Sequence, residues 1–137
     1  MERLKNKIIN IEKMILNLEK SIDKLNFHSD PDDIEYVQDS VVARFKILVD
    51  YSWKSLKAYL EYKVFVELSG APRDVLITAK DINFLKQDQY DVLIKSLTLR
   101  SMASHVYDQK QYVLAIEMAP ITLEVIKSLL AKYQATI

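Results

Sequence analysis

The sequence predicts an all-α protein, a four-helix up-and-down bundle with one additional short helix. Three observations carry this expectation. The chain holds 1 glycine and 3 prolines in 137 residues, too few turn residues for a β protein, which needs them at every hairpin. Its apolar residues recur at helical spacing over long stretches. The few breaks, near Pro31, Pro72, Ile82 and Tyr107, divide it into four long segments and one short one.

The first helix is expected from about Glu2 to Leu25. Leu4, Ile8, Ile11, Ile15, Leu18, Ile22 and Leu25 are spaced 4, 3, 4, 3, 4, 3, a heptad seam that suits a coiled-coil-like bundle helix. Asn26 to Asp33 is a polar break containing His28 and Pro31, and proline disfavours helix at the residue before it. A second helix is expected from Asp33 to Leu68, with Val37, Val41, Phe45, Leu48, Val49, Ser52, Trp53, Leu56, Tyr59, Leu60 and Val64 at helical spacing. At about 1.5 Å per residue it would exceed about 45 Å unless it kinks or ends early. Trp53 lies on this apolar stripe and reads as a packing residue. Asp39 and Asp50 read as part of a solvated face.

Ser69-Gly70-Ala71-Pro72 breaks the chain again. Gly suits a helix C-cap and Pro the first turn of the next helix. A short third helix is expected from Pro72 to Ile82. A fourth follows from Gln87 to Val106, with Tyr90, Leu93, Ile94, Leu97 and Met102 on its apolar face. The last is expected from Gln109 to Tyr133, burying Ile116, Leu123, Ile126, Leu129, Leu130 and Tyr133. Pro120 lies inside it and is expected to kink or split it, because proline removes a backbone donor. No repeat or linker interrupts this plan, so residues 1–137 are expected to form a single helical domain.

Composition narrows the function. Half the residues are hydrophobic and 28% are charged, with 19 basic and 19 acidic side chains and a formal net charge of zero. That argues against a general nucleic-acid coat protein, which is strongly basic, and leaves room for a local patch such as Lys95, Arg100 and Lys110. With no cysteine there are no disulfides or thiolate metal sites, which fits a reducing cytoplasm. No apolar run has signal-peptide length, and none approaches the roughly 20 residues of a membrane span. A cytoplasmic protein without a membrane segment is expected. Asp30, Asp32 and Asp33 lack the glycine and terminal glutamate of a calcium loop. No phosphate loop, dinucleotide fingerprint, nucleophile elbow or zinc motif is present, and no metal or cofactor is expected.

The chemistry concentrates in Arg100-Ser101-Met102-Ala103-Ser104-His105-Val106-Tyr107. The chain has only 2 histidines, and this run holds one of them. An arginine and a histidine together can bind a phosphate and move a proton near neutral pH, and a tyrosine hydroxyl beside them can accept a transferred group. On a straight helix, residues five apart are rotated by about 140°. Arg100 and His105 therefore converge only if the helix ends near Ser104, or if a second copy of the chain completes the site across a two-fold axis. An ordinary helix C-terminus also favours both cations through the dipole. Tyr107 would then be an amphipathic cap, with Asp108 placed to N-cap the last helix.

The run resembles the Arg-x4-His-x-Tyr motif of HEPN-domain proteins. Asp39-Ser-Val-Val-Ala-Arg44-Phe45, followed by Ser52-Trp53-Lys54-Ser-Leu56-Lys57 and Tyr59-Leu60, is similar to the second helix of their nucleotidyltransferase substrate-binding branch. Gly70-Ala71-Pro72-Arg73-Asp74-Val75 resembles that branch's Ser-Pro-Arg-Glu-Val block, and Ser104-His105-Val106-Tyr107-Asp108 its Ser-His-Thr-Tyr-Asp. The resemblance covers nearly the whole chain. It implies a helical homodimer partnered by a minimal nucleotidyltransferase in a toxin–antitoxin pair, with the HEPN subunit a metal-independent ribonuclease toxin. By position, Arg100 would hold the scissile phosphate, His105 would act as general base or acid, and Tyr107 would receive AMP from the partner. Ser101, Ser104 and Asp108 would support them. One departure is Ser101, since many HEPN nucleases carry Asn, Asp or His there. Two other readings compete: a non-catalytic subunit that binds nucleotide or substrate for a separate nucleotidyltransferase, and a helical dimerisation adaptor.

Overall fold

In the computed structural model the chain is an up-and-down bundle of four long helices with one extra short helix, the architecture the sequence predicts. The structure describes residues 1–27, 30–64, 68, 70–102 and 109–136. Helix α1 spans Glu2–Phe27, a single 3-10 turn Pro31–Asp33 leads into α2, Ile34–Val64, and α3 is the short helix Pro72–Asp81. Helices α4, Gln87–Met102, and α5, Gln109–Thr136, complete the bundle. Among the described residues no helix is long and apolar enough to cross a membrane.

Directions follow from paired side chains. Ser21 meets Ser40 and Asn10 meets Tyr51, so α1 and α2 run antiparallel. Gln89 meets Ser128 and Ser96 meets Thr122, so α4 and α5 do likewise. Lys127 reaches Glu19 and Gln134 reaches Glu12, which places α5 antiparallel to α1. Helix α1 packs on α2 and α5, α4 packs on the same two, and α2 meets α5 across the middle. Helix α3 leans on α2 and α4.

The heptad seam of α1 is the buried stripe: Leu4, Ile8, Ile11, Ile15 and Leu18 are core residues, and Ile22 and Leu25 pack at its edge. Phe45, Leu48 and Leu56 of α2 and Ile126, Leu129 and Tyr133 of α5 are fully buried opposite. Trp53 is half-buried against the same core. The hydroxyls of Ser96 and Thr122 satisfy one another at 2.8 Å inside it, so neither is an orphaned polar group of the kind that costs stability.

Two expectations are corrected. Pro120 does not split the last helix: α5 is one helix from Gln109 to Thr136. Pro120 itself is exposed, while Ala119, Thr122 and Leu123 beside it are buried. The missing backbone bond therefore faces water, and packing on the opposite face holds the helix together. Helix α2 is described as far as Val64, and Leu68, its expected last residue, is not helical. Gly70 stands just before α3. Its φ is +116°, and a Cβ there would lie 2.6 Å from Oδ2 of Asp74, the oxygen that accepts the Ala71 backbone N–H at the start of α3. At its other end α3 closes with Asn83 at φ 64°. Phe84 N–H bonds to Ala79 O and Asn83 N–H to Lys80 O, a Schellman closure with asparagine in glycine's place.

Phe45 lies at the centre of this core with no exposed surface. Phe45→Ala is expected to cost about 3–5 kcal/mol, measured by urea unfolding; a loss under about 1 kcal/mol would contradict this packing.

Candidate functional site

Arg100 stands in the last turn of α4, where a cation complements the helix dipole. Its neighbours Ser96, Leu97 and Leu99 are buried, so the helix holds it in a fixed register. Its guanidinium is tied across the bundle to α2, with Nη1 donating to Oδ1 of Asp50 at 2.7 Å. The same Oδ1 accepts the indole N–H of Trp53 at 3.3 Å. Lys54 pairs with the other oxygen at 3.0 Å. Burial works against ionisation of Asp50, but hydrogen bonds from Lys54 and Trp53 and the charges of Lys54 and Arg100 outweigh it, holding the carboxyl below its ordinary range.

Beside Arg100 a cavity of about 310 Å³ opens between α4 and the start of α3, lined by Ala71, Pro72, Arg73, Leu97, Thr98, Arg100 and Ser101. Arg73 enters it from the first turn of α3, and its Nη2 donates to Oγ1 of Thr98 at 3.0 Å. Among the described residues no carboxylate pairs with Arg73. Two arginines thus border one small cavity, one held by a carboxylate behind it and one by a hydroxyl. That arrangement can take a phosphate or a phosphodiester.

A second tie lies further along α2. The Tyr112 hydroxyl, in the first turns of α5, donates to Oδ1 of Asp39. Burial and then the Asp39 carboxylate push this phenol above its ordinary value, so Tyr112 stays a neutral donor. Arg100 and Tyr112 bracket residues 103–108, and each is bonded to a carboxylate of α2.

Of the residues singled out in the sequence, Arg100 and Ser101 are described, both on α4. Ser104, His105, Tyr107 and Asp108 lie outside the described residues, as does His28. The convergence of Arg100 with His105 is therefore not part of the geometry above. Among the described residues no group of three His, Cys, Asp or Glu side chains is placed to hold a metal ion.

Sequence reasoning missed Asp50, taking it for a solvated carboxylate. Its signal was the local spacing Asp50-x-x-Trp53-Lys54, which puts all three on one side of a helix. Its other partner, 50 residues away in sequence, left no local trace. Arg73 stands in the block Gly70-Ala71-Pro72-Arg73-Asp74-Val75, whose local sequence does not show that it reaches Thr98 on α4.

The chain is thus a small all-helical bundle with a basic cavity where the short third helix meets α4. The family described as nucleotidyltransferase substrate binding protein like matches residues 6–134, and the chain belongs to it. Solved structures share the fold. A protein of Thermus thermophilus superposes with a TM-score of 0.76 at 22% identity, covering 90% of this chain and 98% of its own. The tri-AMPylated HEPN toxin of Shewanella oneidensis, in complex with MNT antitoxin, gives 0.74 at 20% identity and 96% coverage of both chains. A toxin–antitoxin structure with AMP-PNP gives 0.70 at 17% identity, covering 95% of this chain and 96% of its own. No curated protein matches the chain.

Because Asp50 ionises more readily in the folded protein, its pair stabilises the fold above the unfolded Asp value of 3.8 and is lost as pH falls through the lower folded value. Wild type is expected to exceed Asp50→Asn in stability by no more than about 1 kcal/mol near neutral pH, since the pair is partly exposed. The gap should close below about pH 4, read from melting curves across a pH series. A gap that widens in acid would reverse the sign.

Proposed function

We propose that this chain is the HEPN toxin subunit of a toxin–antitoxin pair, a metal-independent ribonuclease that works as a homodimer and is neutralised by a minimal nucleotidyltransferase. One observation carries the reading. Arg100, which heads the Arg-x4-His-x-Tyr run, is held by Asp50 at the edge of a cavity that Arg73 also borders.

In this mechanism the RNA phosphodiester lies against Arg100, whose N–H donors meet the charge that builds on the phosphoryl oxygens. His105 takes the proton of the ribose 2′-hydroxyl, the 2′-oxygen bonds to the adjacent phosphorus, and the bond from phosphorus to the 5′-oxygen breaks. The departing 5′-oxygen takes up a proton, leaving a 2′,3′-cyclic phosphate. A second copy of the chain would bring its own Arg100 and His105 to the same groove. For regulation, the Tyr107 hydroxyl attacks the α-phosphorus of ATP on the partner enzyme. A tyrosyl–AMP ester forms and pyrophosphate leaves. The added anion beside Arg100 occupies the clamp and repels RNA.

The purified dimer is expected to cleave RNA in EDTA, and Arg100→Ala or His105→Ala to lower the rate by roughly 100-fold or more, followed on a labelled transcript. Intact RNA with a folded wild-type dimer would remove the ribonuclease reading.

Co-expression with the partner nucleotidyltransferase is expected to raise the intact mass by whole AMP units, and Tyr107→Phe to abolish the increase. An unshifted wild-type mass would remove the modification.

The family's description favours a second reading, a subunit that binds substrate for a separate nucleotidyltransferase without cutting RNA. Nucleotide binding lost in Arg100→Ala, with no nuclease activity in wild type, would decide for it.

A further inference from the structure

A second cationic cavity lies on the other side of α2, away from Arg100. It has a volume of about 350 Å³ and sits between α1 and α2. Arg44 of α2 points into it and is fixed by two neutral acceptors. Its Nη1 donates to the backbone carbonyl of Asn17 at 2.8 Å and to Oγ of Ser21 at 2.6 Å. Ser21 is itself buried and bonded to Ser40 at 2.8 Å, so the acceptor that orients the guanidinium is anchored in turn. Lys20 and Lys24, one helical turn apart on α1, line the same cavity, against Asp33 as the one carboxylate among its lining residues.

This arrangement differs from an ordinary surface arginine. Among the described residues neither Arg44 nor Lys20 takes part in an ion pair. Holding Arg44 in one position costs side-chain entropy, yet neither acceptor neutralises its charge. A guanidinium carries five N–H donors in a fixed fork, and the two bonds described use Nη1 alone. The rest of the fork is pre-oriented for an oxyanion, with two ammonium groups beside it. At the rim stands Tyr36, which is 77% exposed. An aromatic ring left in water next to a cationic pocket offers a face for a base to stack on.

The geometry points to a binding site for a nucleoside phosphate, with the phosphate on Arg44, Lys20 and Lys24 and the base on Tyr36. The ligand is either a free nucleotide or one unit of a single-stranded RNA, since both present the same chemistry. The site is separate from the Arg100 cavity and goes beyond the ribonuclease reading.

The test uses the full chain in an Arg100→Ala background, so that neither cleavage nor the other cavity contributes and the ribonuclease reading can fail on its own. AMP is titrated by calorimetry. A labelled 2′-O-methyl oligonucleotide, which lacks the attacking hydroxyl, is titrated by fluorescence anisotropy. Binding of at least one probe is expected, weakened about tenfold or more by Arg44→Gln and at least about fivefold by Tyr36→Ala. A loss confined to AMP assigns a free nucleotide, and a loss confined to the oligonucleotide assigns a strand. Should Arg44→Gln fail to fold, the double variant Lys20→Gln/Lys24→Gln, in exposed side chains, replaces it with the same expected direction. The proposal is overturned if neither probe binds, or if the charge variant and Tyr36→Ala leave affinity within about twofold.

Discussion

The structure depends on α2 being buried from several sides at once. It packs on α1, α3, α4 and α5, and Val41, Phe45, Leu48 and Leu56 along it are sealed from solvent. A helix in that position cannot present a single apolar stripe with a polar back, as α1 does. Polar groups along it reach side chains of the neighbouring helices, each bond adding modestly to the packing around it. Asp39 meets Tyr112 of α5, Arg44 meets Asn17 and Ser21 of α1, and Asp50 meets Arg100 of α4. Each contact lies between helices, and each fixes a functional candidate or its neighbour.

The angular arithmetic of the helix explains how one rod supplies both cavities. Arg44 and Asp50 are six residues apart in the sequence, which rotates them by about 120° and separates them by roughly 9 Å along the axis. One points toward α1 and the other toward α4. Asp39 and Asp50, eleven residues apart, return to within about 20° of each other and so serve the same side of the bundle. There they hold the end of α4 and the start of α5, one carboxylate to each.

How much of this could be read beforehand depends on whether a feature repeats. The heptad seam of α1 states its buried face seven times over, and Leu4 to Leu18 are buried as the pattern requires. The breaks at Pro31 and Pro72 were legible because proline acts locally on its own backbone. Pro120 misled for the same reason: the local rule is correct, but the exposed side of α5 lets solvent absorb the lost bond. Asp50 was only half legible: its spacing to Trp53 and Lys54 is local, but its arginine arrives from a different helix. The Arg100-to-Tyr107 run was conspicuous as chemistry, whereas the cavity beside it, made by Arg73 and Thr98 from separate helices, belongs to the tertiary fold.

The carboxylate behind Arg100 also sets terms for whatever approaches it. A bare arginine attracts any anion. One already shared with Asp50 at 2.7 Å has part of its charge committed, and a newcomer must do better than water at the remaining donors while sitting near a resident negative group. A carboxylate-bearing metabolite gains little from that exchange. A phosphodiester, with two oxygens shaped to the guanidinium fork and a chain on either side to bind elsewhere, gains more. The pair keeps the cation in place and raises what any anion must gain to displace water from its remaining donors.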